Sequence, residues 1–275
     1  MINMFSLGAI SALVGFLGSL TGLGGASILT PILVFSGIPV KEAIACGMVA
    51  IIATSSGSAS AYVRERIANV KVAMYLEMFT ITGAILGATI TTFVSPVFLY
   101  FLFAAFLMTS FLGLRRINTN FQPSVKQDKI SQWLELEGSY YDRAQKRTIP
   151  YRVNHALFGG LGMFIAGIAA GMLGIGAGAF KVTVQENVLK IPPKVASTTS
   201  NFIIGMTALA GASVYLFSGY LNLTLMAPMA IGTTIGAIIG GRVLNRINNK
   251  ILRIMFLLVV TYLVIQMFYK GVTSI

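Results

Sequence analysis

Ten apolar stretches separated by short polar joints run along the chain, near residues 5–20, 26–38, 43–63, 72–94 and 97–114, then near 154–173, 176–190, 196–217, 223–241 and 251–269. A helix of about 20 apolar residues crosses a ~30 Å hydrocarbon core, and eight of these stretches approach or exceed that length. The other two are weak spans. Stretch 26–38 carries Pro31 within a short apolar run, and stretch 176–190 contains Lys181, Gln185, Glu186 and Lys190. Each is read as a short or re-entrant helix, so the count is eight spans, or ten if both cross. The first stretch lacks a basic leader and a small-residue cleavage pattern, so it is kept as a membrane element. The pattern predicts an all-α polytopic membrane protein.

The second set of five stretches repeats the first. Offsetting the chain by 153 residues superposes 38–99 on 191–252 without a gap, with 16 identities in 62 positions, where this composition gives about five by chance. The matches include Pro39 with Pro192, Lys41 with Lys194, Tyr62 with Tyr215, Asn69 with Asn222, Thr80 with Thr233, and Gly83 and Gly87 with Gly236 and Gly240. Common apolar residues coincide trivially; Pro, Lys, Asn and Tyr do not. The predicted organisation is a first membrane repeat over 1–114, a connecting loop over 115–152 and a second repeat over 153–275.

Composition and charge sharpen this picture. The chain has 275 residues, of which 56% are strongly apolar and 10% charged, against roughly 25% charged in a soluble domain. Its net charge of +12 lies between the apolar stretches, so it is read as membrane orientation, with the lipid bilayer and not nucleic acid as partner. If 115–152 is cytoplasmic, then 64–71, 190–194 and 242–253 share its side, and these four stretches hold 17 of the 20 basic residues. The joints Ser218–Asn222 and Val94–Phe98 carry no charge. Arg64, Arg66 and Lys71 then lie inside while their repeat counterparts lie outside, which is the pattern of two halves inserted in opposite senses. The expected location is the cell membrane, plasma or inner, with many crossings. The 115–152 loop is too short for its own core and is read as a linker with an amphipathic patch on the membrane surface, a partner-binding role being the alternative. Cys46 and His155 are single, so no intrachain disulfide, Cys/His metal cluster or cofactor site is expected.

Candidate chemistry lies where polarity interrupts the apolar pattern. Gly22, Gly24 and Gly25 follow the first stretch, and Gly174, Gly176 and Gly178 follow its repeat counterpart. Neither cluster has the strand context of a dinucleotide fingerprint or the Lys-Ser/Thr ending of a P-loop. They serve either close helix packing or breaks at membrane depth. A break leaves the amide N–H groups of the next short helix aimed at a cavity and suited to an anion. Thr54, Ser55, Ser56, Ser58 and Ser60 crowd one span, while Ser197, Thr198, Thr199, Ser200 and Asn201 open its counterpart. Single hydroxyls often bond only their own helix, but a row of them with one amide could replace the water shell of a small oxyanion. Lys181 either offsets an anion's charge or pairs with Glu186 or snorkels, and Glu77, one turn into its span, is expected at the interface. Gly83 with Gly87 and Gly236 with Gly240 are assigned to helix contact.

The stretch from Gly174 to Tyr215 resembles the sulfite exporter TauE/SafE family of membrane permeases. The family's glycine turn, K-V-P, G-x-P-x-K-V-A and A-T-S-N-F-x-I-G-x-T-A motifs correspond to Gly174, Gly176 and Gly178; Lys181 and Val182; Pro192, Lys194, Val195 and Ala196; and Thr199, Ser200, Asn201, Phe202, Ile204, Gly205, Thr207 and Ala208. The first-half turn Gly22-Leu23-Gly24-Gly25 with Pro31 is similar to the same family's first repeat. Ala177 stands where a glycine is usual, Thr183 replaces the proline of K-V-P, and Cys46, Gly47 and Met48 occupy the positions equivalent to Thr199, Ser200 and Asn201. The resemblance implies export of sulfite or a small organosulfonate. The resulting expectation is an alternating-access transporter for a small sulfur-containing anion, bound by the helix ends after Gly25 and Gly178, by Thr199, Ser200 and Asn201, and by Lys181. Rival readings are a transporter or channel for another small anion or metabolite and, further off, an intramembrane enzyme. The partners expected are a small anionic substrate and the bilayer, with a homodimer left open.

Overall fold

A computed structural model describes residues 4–21, 24–64, 67–115, 127–142, 146–243, 261 and 264–273. Its helices are α1 (Met4–Thr21), α2 (Ala26–Phe35), α3 (Val40–Arg64), α4 (Val70–Phe93), α5 (Pro96–Arg115), the short α6 (Lys129–Trp133), α7 (Ala156–Leu173), α8 (Gly178–Asn187), α9 (Pro193–Phe217) and α10 (Leu223–Val243). Residues 264–273 are also helical. The protein is an all-α polytopic membrane protein. Among the described residues, stretches of α3, α4, α7, α9 and α10 are long and apolar enough to cross a bilayer, and α1, α2 and α5 add shorter apolar stretches. Seven of the eight long spans expected are helices; most of the eighth, 251–269, lies outside the described residues.

The solvent for this fold is lipid. Leu161 and Ile165 of α7, Leu209 of α9, Ile231 and Ile235 of α10 and Met78 and Leu86 of α4 all point outward and exposed. In water such a belt would be an aggregation surface. The two weak spans are resolved by length. At 1.5 Å per residue, the 10 residues of α2 and the 10 of α8 reach about 15 Å, half of a ~30 Å core.

The contacts follow the 153-residue offset. α3 and α9 each have 25 residues and begin at Val40 and Pro193, positions that the offset superposes. α1 runs along α10 as α4 runs along α7, α3 meets α10 as α9 meets α4, and α2 lies on α3 as α8 lies on α9. Two bodies result, one of α1, α2, α3 and α10 and the other of α7, α8, α9 and α4, joined where α3 crosses α9. Each body is completed by the fourth helix of the other half. Glycine makes the long contacts possible. A Cβ at Gly83 would overlap the Phe164 carbonyl oxygen, and one at Gly236 the Ala12 carbonyl oxygen, so the helices touch backbone to backbone as the small-residue pairs predict.

The 115–152 connection departs from expectation. Without a core of its own, as expected, it still forms α6 and an antiparallel hairpin in place of a plain linker, β1 (Glu137–Asp142) and β2 (Arg147–Arg152), paired from Glu137 with Arg152 to Asp142 with Arg147. A segment this small cannot bury enough surface alone. Leu136, Tyr140, Tyr151 and Val153 therefore pack into a cluster with Val72 and Leu76 of α4, Met163 of α7, Leu189, Ile191 and Val195. Asn69 ties the module down: its Oδ1 caps α4 by accepting from Val72 N at 3.1 Å, while its Nδ2 donates to Tyr151 Oη at 2.9 Å and to the Glu137 carbonyl at 3.2 Å. The Lys71–Glu135 ion pair, 2.7 Å, is exposed on both sides, where such pairs contribute about 0–1 kcal/mol.

Asp128 caps α6, accepting from Ser131 N at 3.3 Å and from the Ser131 hydroxyl. Partial burial raises its pKa, but the hydrogen bonds from Ser131 and neighbouring amides outweigh that and hold the carboxyl below its ordinary 3.8. A depressed carboxyl stabilises the fold fully above its unfolded value and loses that contribution as pH falls through the folded one. The α6 module is therefore expected to loosen below about pH 4. Trp133, the single tryptophan, ends α6, so its fluorescence should report the transition. Asp128→Ala should abolish the acid step at a cost near 1 kcal/mol.

Candidate functional site

Both glycine clusters break the chain in the left-handed region. Gly24 and Gly25 have φ of 77° and 63°, and Gly174 and Gly176 have 63° and 70°. Glycine reaches these angles without the Cβ penalty. Ala177 also adopts φ 51°, a conformation costing roughly 1–2 kcal/mol for an alanine. Gly174 ends α7, its N–H donating to the Ala170 carbonyl at 2.9 Å, and α8 starts four residues later. Neither α2 nor α8 receives a side-chain cap. Among the described residues, the amides of Ser27 at the α2 start and of Gly178 and Phe180 at the α8 start meet no acceptor. Helix starts hold about half a positive charge in these groups.

The two breaks converge. A Cβ at Gly24 would lie 3.2 Å from Ile204 Cγ2 and 3.6 Å from Ile51; one at Gly176 would lie 2.9 Å from Ile204 Cγ2 and 3.3 Å from Ile51 Cδ1. Ile51 and Ile204 are themselves superposed by the 153-residue offset. One turn from each half thus reaches the same isoleucine pair where α3 crosses α9. This pair has no polar chemistry, and only its identity under the offset marks it in the sequence. Gly22 lies outside the described residues.

Thr199, Ser200 and Asn201 are all buried, but successive helical residues point about 100° apart, and the three serve different neighbours. Thr199 Oγ1 accepts from the Asn69 main-chain N–H at 3.2 Å, toward the hairpin. Ser200 Oγ donates to the Gly178 carbonyl at 3.4 Å, at the α8 tip. The Asn201 carbonyl accepts from Ser55 Oγ of α3 at 2.7 Å. Its side-chain amide, in a residue only 4% exposed, makes no hydrogen bond among the described residues. On the first-half side, Thr30 of α2 is fully buried, its hydroxyl without a hydrogen-bond partner among the described residues, and it occupies the space a Cβ at Gly47 would need, beside the Gly174 carbonyl. The serine cluster of α3 is mostly internal: Ser58 Oγ donates to the Thr54 carbonyl and Thr54 Oγ1 to the Ala50 carbonyl.

Lys181 goes elsewhere. It is fully buried, and instead of pairing with Glu186 it donates through Nζ to Thr207 Oγ1 at 3.0 Å. Thr207 in turn bonds Thr80 of α4 at 3.1 Å. Glu77, expected at the interface, is 8% exposed on α4, which packs along both α7 and α9.

Half-membrane helices broken by glycine, meeting at the centre of a duplicated helical bundle, define a polytopic membrane transporter. Comparison with known proteins narrows the class. The sulfite exporter TauE/SafE family profile matches residues 7–267, and the chain belongs to that family. It is 24% identical over 274 residues to the probable membrane transporter protein YunE of Bacillus subtilis (strain 168), covering 96% of this chain and 97% of that one. Identity is also 24% to the probable membrane transporter protein YdhB of the same organism, over 91% of each chain. It is 24% again to the probable membrane transporter protein MJ0441 of Methanocaldococcus jannaschii, over 90% and 88%. No solved structure matches the chain.

Proposed function

We propose that the protein exports a small sulfur-containing anion, sulfite or an organosulfonate, by alternating exposure of a site between the α2 and α8 tips. The convergence of both glycine turns on Ile51 and Ile204 carries this reading: uncapped amides at two helix starts supply partial positive charge without a mobile cation. Gly24, Gly25, Gly176 and Gly178 let the backbone approach the ligand. Ser200 holds the α8 tip, and the Asn201 side-chain amide donates to the anion. Thr199 positions α9 through Asn69, and Lys181, three residues beyond Gly178, adds long-range positive charge. The family supplies the sulfur chemistry of the substrate; the residues supply the preference for negative charge.

In this reading the repeats over 1–114 and 153–275 insert in opposite senses into the plasma or inner membrane, with 115–152 cytoplasmic as the basic residues direct. Rocking of one four-helix body against the other across the α3–α9 crossing would expose the site alternately to each side. The test is efflux from proteoliposomes loaded with sulfite. Asn201→Ala, which removes one charge-assisted hydrogen bond of about 1.5–3 kcal/mol, should cut efflux at sub-saturating sulfite by tenfold or more with insertion unchanged. Undiminished efflux would remove Asn201 from the site. Native protein that moves other small anions but no sulfite would transfer the site to another substrate.

A further inference from the structure

We infer that Glu77 is a proton-binding site inside the membrane, on the turn of α4 that the Lys181–Thr207–Thr80 contact joins to α8 and α9. Lys181 is wholly buried on α8, Glu77 is buried on α4, and Gln185, one turn beyond Lys181 on the same face, is fully buried. Lys181 Nζ donates to Thr207 Oγ1 at 3.0 Å, and Thr207 bonds Thr80 Oγ1 at 3.1 Å. Thr80 then donates to the carbonyl of Glu77 at 3.1 Å. The carboxylate itself is left short of donors: Glu77 Oε1 has no hydrogen-bond partner among the described residues, and neither do Nε2 and Oε1 of Gln185. A buried carboxylate with a bare oxygen is a costly species. One proton taken from water onto that oxygen turns it into a neutral acid that can donate, leaving the Lys181 charge to be balanced by an anion at the α8 tip. Losing the proton restores the carboxylate as the counter-charge when no anion is bound.

The duplication supplies an internal control. Under the 153-residue offset, the pair Thr80 and Thr207 corresponds to Thr233 and Thr54, both buried in the other body, and α3 meets α10 there as α9 meets α4. The charged and amide residues have no counterparts: α2 and α8 start 152 residues apart, at Ala26 and Gly178, so Lys181 corresponds to Leu29 and Gln185 to Leu33, while Glu77 corresponds under the 153-residue offset to Ala230. The same helix contact is therefore built without them, and packing does not explain their presence in one body only. Sequence position points to an interfacial Glu77; its burial is what changes its role.

Other ionisable groups around Glu77 are few. The span of α7 carries none, and His155 at its start is exposed. α9 carries the exposed Lys194 in its first turn and Tyr215, whose hydroxyl donates to the Gly171 carbonyl. α3 carries Lys41, which donates to the Thr92 carbonyl at the opposite end of α4, with Glu42 and Cys46 nearby and Tyr62 and Arg64 at its other end. α8 adds Glu186, α5 adds Tyr100, and α4 itself has Tyr75 and Lys71, the latter paired with Glu135.

The experiment is pH-difference infrared spectroscopy of the purified full-length protein in lipid nanodiscs, and it needs no substrate. Native protein should gain a protonated-carboxyl stretching band on acidification. Glu77→Gln should remove that band and Glu186→Gln should retain it. Lys181→Met should move the pH at which it appears by about one unit or more, as loss of a neighbouring charge does. A band that survives Glu77→Gln, is indifferent to Lys181→Met, or is missing from the native protein overturns the assignment. If Glu77→Gln does not fold, the response to Lys181→Met decides. Loss of sulfite efflux with the infrared result intact would count against the substrate reading alone.

Discussion

Gly83→Leu should leave no folded protein, read as loss of the monodisperse peak in detergent size-exclusion chromatography. A Cβ there would overlap the Phe164 carbonyl oxygen and lie 2.9 Å from Ile168 N and 3.1 Å from Gly167 Cα. These are backbone atoms of a long helix and cannot swing aside as a side chain can. Overpacking costs about 1–3 kcal/mol where side chains can shift, and more where whole helices must separate. Gly236→Leu, at the repeat-equivalent position, should fail in the same way against Ala12 of α1. Gly8→Ala is the matched control: the single neighbour of its Cβ is the Pro228 carbonyl oxygen at 3.7 Å, ordinary contact. It should fold normally, with a small gain from helix propensity. A folded, monodisperse Gly83→Leu protein would show that α4 and α7 do not lie backbone to backbone.

The second large effect is on transport. Gly176→Ala places a Cβ 2.9 Å from Ile204 Cγ2 at a residue with φ +70°. The left-handed backbone costs roughly 1–2 kcal/mol and the overlap about 1–3 kcal/mol more. The α8 tip should be pushed off the isoleucine pair and sulfite efflux should fall at least tenfold. Adding Ile204→Ala removes the overlap but not the backbone strain, so partial recovery is expected. Gly219→Ala separates the two terms, because Gly219 has φ +75° but open space around its Cβ; it should keep near-native efflux. Full activity in Gly176→Ala would place the substrate path away from the converging turns.

The helices are legible because lipid enforces a simple rule: apolar residues in long runs with every backbone group paired internally. The duplication is legible from Pro39, Lys41, Tyr62 and Asn69, and it places α3 and α9 to the residue. Gly83 and Gly236 read correctly as contact residues because a small side chain in a membrane helix has few other uses. The hairpin is not legible. Its strands, Glu137–Asp142 and Arg147–Arg152, show no clean alternation, and they are held by a cluster lent by α4, α7 and residues 189–195. The site is legible in part. Glycine breaks before two short helices announce themselves, whereas Ile51 and Ile204 carry no chemical signal. Thr199, Ser200 and Asn201 read as one polar row, but helical phase sends them to Asn69, Gly178 and Ser55. Glu77 and Lys181 look unrelated because 104 positions separate them in the chain.

The central claim is that two copies of one helical unit, threaded in opposite senses, bring their broken helices to a common centre. It is tested most directly by single-cysteine labelling in a Cys46→Ala background, since Cys46 is the only native thiol. Ala68→Cys lies in the half-buried joint before α4, and Ser218→Cys lies at the exposed end of α9, in the corresponding joint of the other half. In sealed, oriented vesicles a membrane-impermeant maleimide should reach the two cysteines from opposite sides of the bilayer. Labelling of both from the same side would contradict the account.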